Sequence, residues 1–407
     1  MNFRGLIAMS RRYGADKDYV LEGGGNTSHK EGGVMAVKAS GNALGGIGEE
    51  GFVLMDTAKL RAMTKADYPE ADDEREACAI KDMMAARVEG QGEKRPSVEC
   101  ILHGLFEQDY VLHVHPALIN GLTCAAGGAE AAAELFSDMH EELLWMPLTK
   151  PGFILSKACA DAFETHERKY GVCPKALLLQ NHGVFVAESS TAEIDEIMAD
   201  IVGRVRSRIE REPDFTKGAR KAFPPVGVGS GVGSDAPAPG FAPDEAAAKS
   251  IPDSATQIAA ALIDSYAEDA GAYAVFVTNA ELARLTASKD AAAPLMRPFT
   301  PDHIVYDKAY PLWLGRDDHA ASVAAAFRAF TDAHAFKPKV ALVEGLGAFA
   351  LGLSEHEAQA AADLLVDAVK ISVYSESFGG PSPLPDDFTA FISNWEIESY
   401  RQKRSFG

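Results

Sequence analysis

Cysteine is scarce in this chain of 407 residues: the five present (Cys78, Cys100, Cys124, Cys159 and Cys173) are odd in number, scattered and without a CxxC pair. That pattern argues against a disulfide framework or a cysteine-ligated zinc site, so the thiols are expected to be reduced core residues. Long apolar runs are missing as well. No stretch reaches the ~20 residues that span a bilayer, and the opening MNFRGLIAMSRRYGADK meets Arg11 and Arg12 before it builds the apolar core of a signal peptide. There is no cationic excess: 39 Lys and Arg stand against 59 Asp and Glu, a net charge of -20. Such a chain repels nucleic acid backbones and anionic membranes. Neither GxxxxGK[ST] nor a strand-to-helix GxGxxG occurs, which sets aside the two common nucleotide loops. These absences lead to the expectation of a cytoplasmic protein with no nucleic acid and no membrane partner, open to a small anionic ligand.

What is there is ample apolar content, 47%, and a length beyond that at which one core usually stops growing, so two domains are expected. NFRGLIAMSRRYG and DEREACAIKDMMAARV read as helices, while MAVKAS and KALLL read as strands. TAEIDEIMADIVGRVRSRIE reads as the last helix of the first domain, with a basic final turn. Residues 224–245, PPVGVGSGVGSDAPAPGFAPDE, have little to bury and read as an exposed linker between a domain over 1–223 and another over 246–407.

The two halves align without a gap where PKALLLQNHGVFVAESS, from Pro174, is set against PKVALVEGLGAFALGLS, from Pro338. Leu178 meets Leu342, Gly183 meets Gly347 and Phe185 meets Phe349. Any strand, turn, strand and helix would share part of this pattern, but the ungapped match favours a duplication. Leu346 stands where the first copy has His182.

The chemistry is concentrated in residues 97–183. In VLHVHP, residues 111–116, the period of a strand puts Val111, His113 and His115 on one face and Leu112 and Val114 on the other. Two imidazoles so placed can converge on one ion, or they can be half-buried core histidines. His182, in QNHGV, sits at a tight turn where Gly183 would let the chain bend, and it is the candidate third ligand. Three protein ligands leave a coordination position open for substrate. Upstream, Ser97 reads as a helix N-cap with Glu99 in the first turn, where an acid either answers the helix dipole or, beside a metal, moves a proton. Residues 21–46, LEGGGNTSHKEGGVMAVKASGNALGG, combine glycines with Asn26, Thr27, Ser28 and Ser40. They read either as an anion cradle or as a pair of hairpin turns.

GGGNTS, KASG, PSVE, HVHP and NHG, in this order over residues 20–185, together resemble the class II aldolase/adducin family. The resemblance implies a three-layer α/β fold around a mainly antiparallel sheet and assembly as a homo-oligomer; with the internal match, the expectation is that this fold is duplicated, the second copy being degenerate. It implies that His113, His115 and His182 bind Zn2+ or another divalent metal, that Glu99 is the catalytic acid/base, and that Asn26, Ser40, Gly41 and Ser97 hold a substrate phosphate, with Thr27 beside them in the cradle. Val98 stands where many shorter aldolases have a second hydroxyl. RPFTPDHIVYDKAYPL, PKVALVEGLGAFALG and WEIESYRQK extend the likeness to the aldolase module of bifunctional rhamnulose-phosphate aldolase and short-chain dehydrogenase proteins, although no dehydrogenase segment is found up to Gly407. The implied reaction is cleavage of a ketose 1-phosphate, a small phosphorylated sugar, to dihydroxyacetone phosphate and an aldehyde through a metal-chelated enediolate. Epimerases, dehydratases and decarboxylases share that site chemistry, and a noncatalytic adducin-like module is the other alternative. Asp302 and His303, in TPDHIVY, read either as reaching a neighbouring pocket or as a buried structural pair; the pair is the expectation, in a C-terminal half that carries no metal.

Overall fold

The computed structural model describes residue 1 and residues 3–225, 251–267 and 271–394. Two sheets organise it. The first has seven strands: β1 (Asn26–Glu31), β2 (Val34–Lys38), β3 (Phe52–Asp56), β4 (Tyr110–Val114), β5 (Leu143–Met146), β6 (Ala176–Leu179) and β7 (Gly183–Glu188). Their spatial order is β3-β2-β1-β4-β7-β6-β5. All neighbours are antiparallel except β5 and β6. The expected mainly antiparallel sheet is therefore present.

Alternation along β4 decides what each face of this sheet does. Leu112 and Val114 join a core with Leu6, Met9, Ile119, Ile194 and Met198, from helices Phe3–Gly14, Ala117–Thr123 and Thr191–Ser207. Val111, on the other face, packs with Leu102, Leu155, Cys159 and Phe163, from helices Cys100–Leu105 and Phe153–Tyr170. Helices thus cover both faces in three layers.

The second sheet consists of β8 (Ala219–Phe223), β9 (Tyr273–Thr278), β10 (Leu312–Leu314), β11 (Val340–Val343) and β12 (Gly347–Gly352), in the order β10-β11-β12-β9-β8. Its parallel β10–β11 pair is followed by three antiparallel pairs, as β5–β6 is followed by β6–β7, β7–β4 and β4–β1. Register agrees too: Leu179 opposes Gly183 as Val343 opposes Gly347, and His113 opposes Phe185 as Phe276 opposes Phe349. Helices Ala320–His334 and Glu355–Ser375 follow β10 and β12 as Phe153–Tyr170 and Thr191–Ser207 follow β5 and β7. This pairing extends the sequence alignment well beyond the segment that suggested it.

The division between the halves is not the one expected. Ala219–Phe223, placed by sequence in the first domain, pairs with β9 and so belongs to the second sheet. Residues 226–245 of the expected linker lie outside the described residues. Helix Glu355–Ser375 serves both halves: Ala361 and Leu365 pack on the second sheet, while Ile371 and Tyr374 complete the core of the first. Among the described residues, no helix is long and apolar enough to cross a membrane.

Candidate metal centre

His113 lies on β4, fully buried, with its ring stacked on Phe185 at 3.9 Å between centroids. Its Nδ1 is 3.0 Å from the Val184 carbonyl oxygen, an acceptor only, so Nδ1 carries the proton and Nε2 presents a lone pair. His115 follows directly after β4, its backbone N–H donating to the Tyr19 carbonyl at 3.1 Å. Its Nδ1 lies 2.5 Å from Asp302 Oδ2, which in the same way leaves the lone pair on Nε2. The two Nε2 atoms face each other at 2.9 Å. His182, in the turn between β6 and β7, closes the group: one ring nitrogen from each histidine lies within 4.8 Å of the others.

Convergent imidazole lone pairs have nothing to donate to one another, and a cation is what such an arrangement accepts. At a Zn–N distance of about 2.0 Å, neighbouring tetrahedral ligands stand about 3.3 Å apart, close to the 2.9 Å between the His113 and His115 nitrogens. The three histidines therefore form a group that can hold a divalent ion, and neutral nitrogen donors suit zinc, copper, iron or nickel. Burial pushes the His113 pKa down to about 4, against the opposing pull of Glu99, so the ring is neutral and able to ligate at neutral pH.

Glu99 Oε1 lies 3.2 Å from His113 Nε2 and 3.1 Å from His182 Nε2. Burial disfavours its charge, but the two imidazoles outweigh burial and hold the carboxyl well below the usual range. Asn26 Nδ2 donates to Glu99 Oε2 at 2.5 Å and to Ser97 Oγ at 3.2 Å. Asn26 is itself fixed by His103, whose Nε2 meets Asn26 Oδ1 while its Nδ1 sits 2.7 Å from Ser28 Oγ. Burial, with His113 and Lys30 nearby, pushes the His103 pKa well below the usual imidazole range. A glutamate held ionised in a fixed orientation beside three imidazoles is equipped to take a proton from a bound molecule and return it.

The cleft beside Glu99 is lined by Asn26, Lys38, Ser40, Gly41, Ser97, Val98, His115 and His182. The start of helix Phe153–Tyr170 adds Gly152 and Ser156. Of the expected phosphate positions, Asn26, Ser40, Gly41 and Ser97 are thus brought together. Thr27 is not among them. Strand alternation turns it away from Asn26, toward helix Phe3–Gly14, where its hydroxyl pairs with Ser10 Oγ at 2.7 Å. The glycine-rich segment turns out to combine both of its readings, since Gly32 and Gly33 turn β1 into β2 while Gly41 lines the cleft.

Three further expectations change. The helix begins at Cys100, with Glu99 rather than Ser97 at its N-cap position; Ser97 Oγ instead accepts the Glu99 N–H at 3.3 Å. The bend before His182 is made by Asn181, at φ 55°, and not by Gly183. Gly183 is needed for closeness, because a Cβ there would stand 2.6 Å from the Val114 carbonyl oxygen and 2.7 Å from the His115 ring. Finally, Asp302 and His303 do not pair with each other. His303 caps its own helix through Thr300 and lies 3.3 Å from Asp367, whereas Asp302 reaches His115. His103 was missed, although its place one helical turn after Glu99 was readable; Lys38 and the start of the 153–170 helix gave no local signal.

A three-layer α/β domain with a mainly antiparallel sheet thus brings together three histidines that could hold a metal ion and a glutamate beside them. The family model described as Class II Aldolase and Adducin N-terminal domain matches residues 4–201, just under half of the chain, and that segment is similar to the family. Over 188 residues the chain is 28% identical to an uncharacterised oxidoreductase, YuxG, of Bacillus subtilis, covering 44% of this chain and 25% of that protein. The match therefore spans about a quarter of the length of that relative. Among solved structures, the N-terminal class II aldolase domain of a conserved Thermoplasma acidophilum protein is similar at 27% identity and a TM-score of 0.44, over 52% of this chain and 94% of that one. L-Fuculose-1-phosphate aldolase from Thermus thermophilus is similar at 16% identity and a TM-score of 0.31, over 50% and 94%.

Proposed function

We propose that this protein is a divalent-metal-dependent aldolase that cleaves a ketose 1-phosphate of the rhamnulose 1-phosphate kind into dihydroxyacetone phosphate and an aldehyde. The observation that carries this reading is the convergence of His113, His115 and His182 within reach of one ion, with the ionised Glu99 against them. A divalent ion there, zinc by preference, would polarise the substrate ketone and offset the charge gathering on its oxygen as the carbon–carbon bond breaks. Glu99 moves the proton at carbon. In the synthetic direction its carboxylate removes a proton from the carbon next to the ketone; in cleavage the carboxyl returns that proton once the aldehyde has parted. Asn26 holds Oε2, so that Oε1 faces the histidine group beside which the substrate carbon would lie. Ser40, Gly41 and Ser97 line the same cleft and offer small donors to a phosphate, and the start of the 153–170 helix opposite them favours negative charge.

The test is metal analysis together with aldehyde release from a panel of ketose 1-phosphates. Wild type is expected to hold one divalent ion per chain and to release aldehyde. His115→Ala binds the ion much more weakly and does not retain it through purification, and Glu99→Gln keeps it while turnover falls by about 10²–10⁴-fold. Equal metal retention in the His115 variant, or unchanged turnover in the Glu99 variant, overturns the corresponding assignment.

A further inference from the structure

The residue that orients His115 comes from the other half of the chain. Asp302 lies 187 positions beyond His115 in sequence, in the helix Pro301–Asp307. That helix is placed firmly: Thr300 and His303 form a capping box at its start, and one turn beyond Asp302 the Tyr306 hydroxyl accepts the Gly23 N–H at 3.1 Å. The loop before β1 leaves room for the carboxylate to pass, since a Cβ on Gly24 would stand 2.8 Å from Asp302 Oδ2. The Asp302 side chain is 7% exposed, so its contact with His115 Nδ1 at 2.5 Å is shielded from water.

The geometry points to a new role for this residue: we propose that Asp302 is a positioning residue of the metal centre, fixing the His115 tautomer and ring orientation and raising the basicity of Nε2. The C-terminal half would then complete a site whose ligands all lie in the N-terminal half. This rests on the reading of the three histidines as ligands. Two of them are oriented by different means, His113 by the neutral carbonyl of Val184 and His115 by a carboxylate. A carboxylate behind an imidazole strengthens it as a donor more than a carbonyl does, and losing such a partner commonly costs about 10–100-fold in metal affinity. Nothing near Asp302 in sequence announces the contact. It exists because the helix Pro301–Asp307 docks beside the end of β4.

The experiment is Zn2+ affinity by chelator competition on the full chain, for wild type, Asp302→Asn, Asp302→Ala, His115→Ala and the double variant His115→Ala/Asp302→Asn. Asp302→Asn keeps the side-chain shape and is expected to weaken Zn2+ binding by about 10–100-fold, and Asp302→Ala by at least as much. In the His115→Ala background the same Asn substitution should change affinity less than about twofold, because its effect runs through the missing imidazole. Thermal midpoints of the metal-stripped proteins are read alongside, and wild type and Asp302→Asn should agree within about 2 °C. Unchanged affinity in Asp302→Asn, or an equal loss with and without His115, overturns the role of Asp302 while leaving the ligand set standing. Absence of Zn2+ binding by wild type overturns both.

Discussion

Asn181 offers a direct test of how the backbone holds His182 in place. The residue is buried, sits at φ 55° and donates its backbone N–H to the Thr123 carbonyl at 3.0 Å. Its side-chain Nδ2 bridges to the second half of the chain, donating to the Phe299 carbonyl at 3.1 Å and to the Ser382 carbonyl at 2.8 Å. Asn181→Ala removes both bonds, at about 0.5–1.5 kcal/mol each. It also places a Cβ-bearing residue without a local polar group in left-handed backbone, at about 1–2 kcal/mol. The expected loss is therefore about 2–5 kcal/mol. Asn181→Gly loses the bonds but not the backbone tolerance, so it should be milder by about 1 kcal/mol. Asn181→Asp sets a carboxylate against two carbonyl oxygens and should be the most damaging of the three. The assay is urea unfolding of the metal-stripped proteins, with the midpoint shifted and the slope unchanged. Zn2+ affinity on the same samples reports whether His182 has moved. A loss below about 0.5 kcal/mol in Asn181→Ala, or Gly and Ala variants of equal stability, would refute the argument that the Asn side chain and its backbone angle jointly hold this turn.

Asp307 gives a prediction with a definite sign. It is buried, its Oδ1 has no hydrogen-bond partner among the described residues, and burial pushes its carboxyl well above the usual range, opposed by Lys339 and reinforced by Asp367 and Asp363. Below the unfolded-state value of about 3.9 both states are protonated and the group contributes nothing; above it only the unfolded chain ionises freely, so stability falls as pH rises toward the folded-state value. Asp307→Asn should therefore raise the thermal midpoint at pH 7, with the gain vanishing near pH 4; a gain that persists at pH 4 would contradict this account. The thiols give a simpler count. Of the five free cysteines only Cys78 is exposed, so a thiol reagent should label one site per chain in the native protein and five after unfolding. Rapid native labelling of a second thiol would contradict the burial of the other four.

Local patterns in the sequence carried the parts of the site that are local. Period-two alternation puts His113 and His115 on one face, and although His115 lies one residue past β4 the two Nε2 atoms meet at 2.9 Å, because an amphipathic strand in mid-sheet has little freedom of register. The same rule, applied to β1, would have turned Thr27 away from Asn26; grouping the small polar residues by composition hid it. Glycine is the commoner left-handed residue, which points to Gly183 for the bend before His182, yet Asn181 takes that conformation and Gly183 is kept small by the approach of β4. That Asp302 could reach a neighbouring pocket is legible in TPDHIVY, but which residue it meets there is not. Its own neighbours suggest a His–Asp pair, and only the docking of the Pro301–Asp307 helix against the first half shows that its partner is His115. The repeat was legible over one strand pair and its helix, where side-chain pattern survives. Further equivalences depend on which strands pair, and no short window of sequence states that.

The strand-by-strand correspondence of the two sheets leads to a reciprocal substitution that separates fold from chemistry. Phe276 occupies in β9 the position of His113 in β4, each opposite a phenylalanine, Phe349 or Phe185. Two residues later Thr278 stands for His115, and before the glycine Leu346 stands for His182. We read the second half as a copy in which this aromatic slot has only a packing role: Phe276 lies wholly buried among apolar side chains, 5.0 Å from the Phe349 ring centroid. His113→Phe should therefore fold, since the new ring keeps the stack on Phe185, while its Zn2+ affinity collapses. Phe276→His should do the reverse of a gain. The Ala348 carbonyl, counterpart of that of Val184, can take one ring N–H, but the other nitrogen meets nothing that plays the part of Glu99, and an unsatisfied buried polar group costs about 1–3 kcal/mol. Zn2+ affinity should not improve, because Thr278 and Leu346 add no imidazole. Urea unfolding and Zn2+ titration of the two variants side by side decide the matter: a neutral Phe276→His would mean that the second slot tolerates an imidazole as the first does, and that packing alone does not explain why only one of the two copies has histidine there.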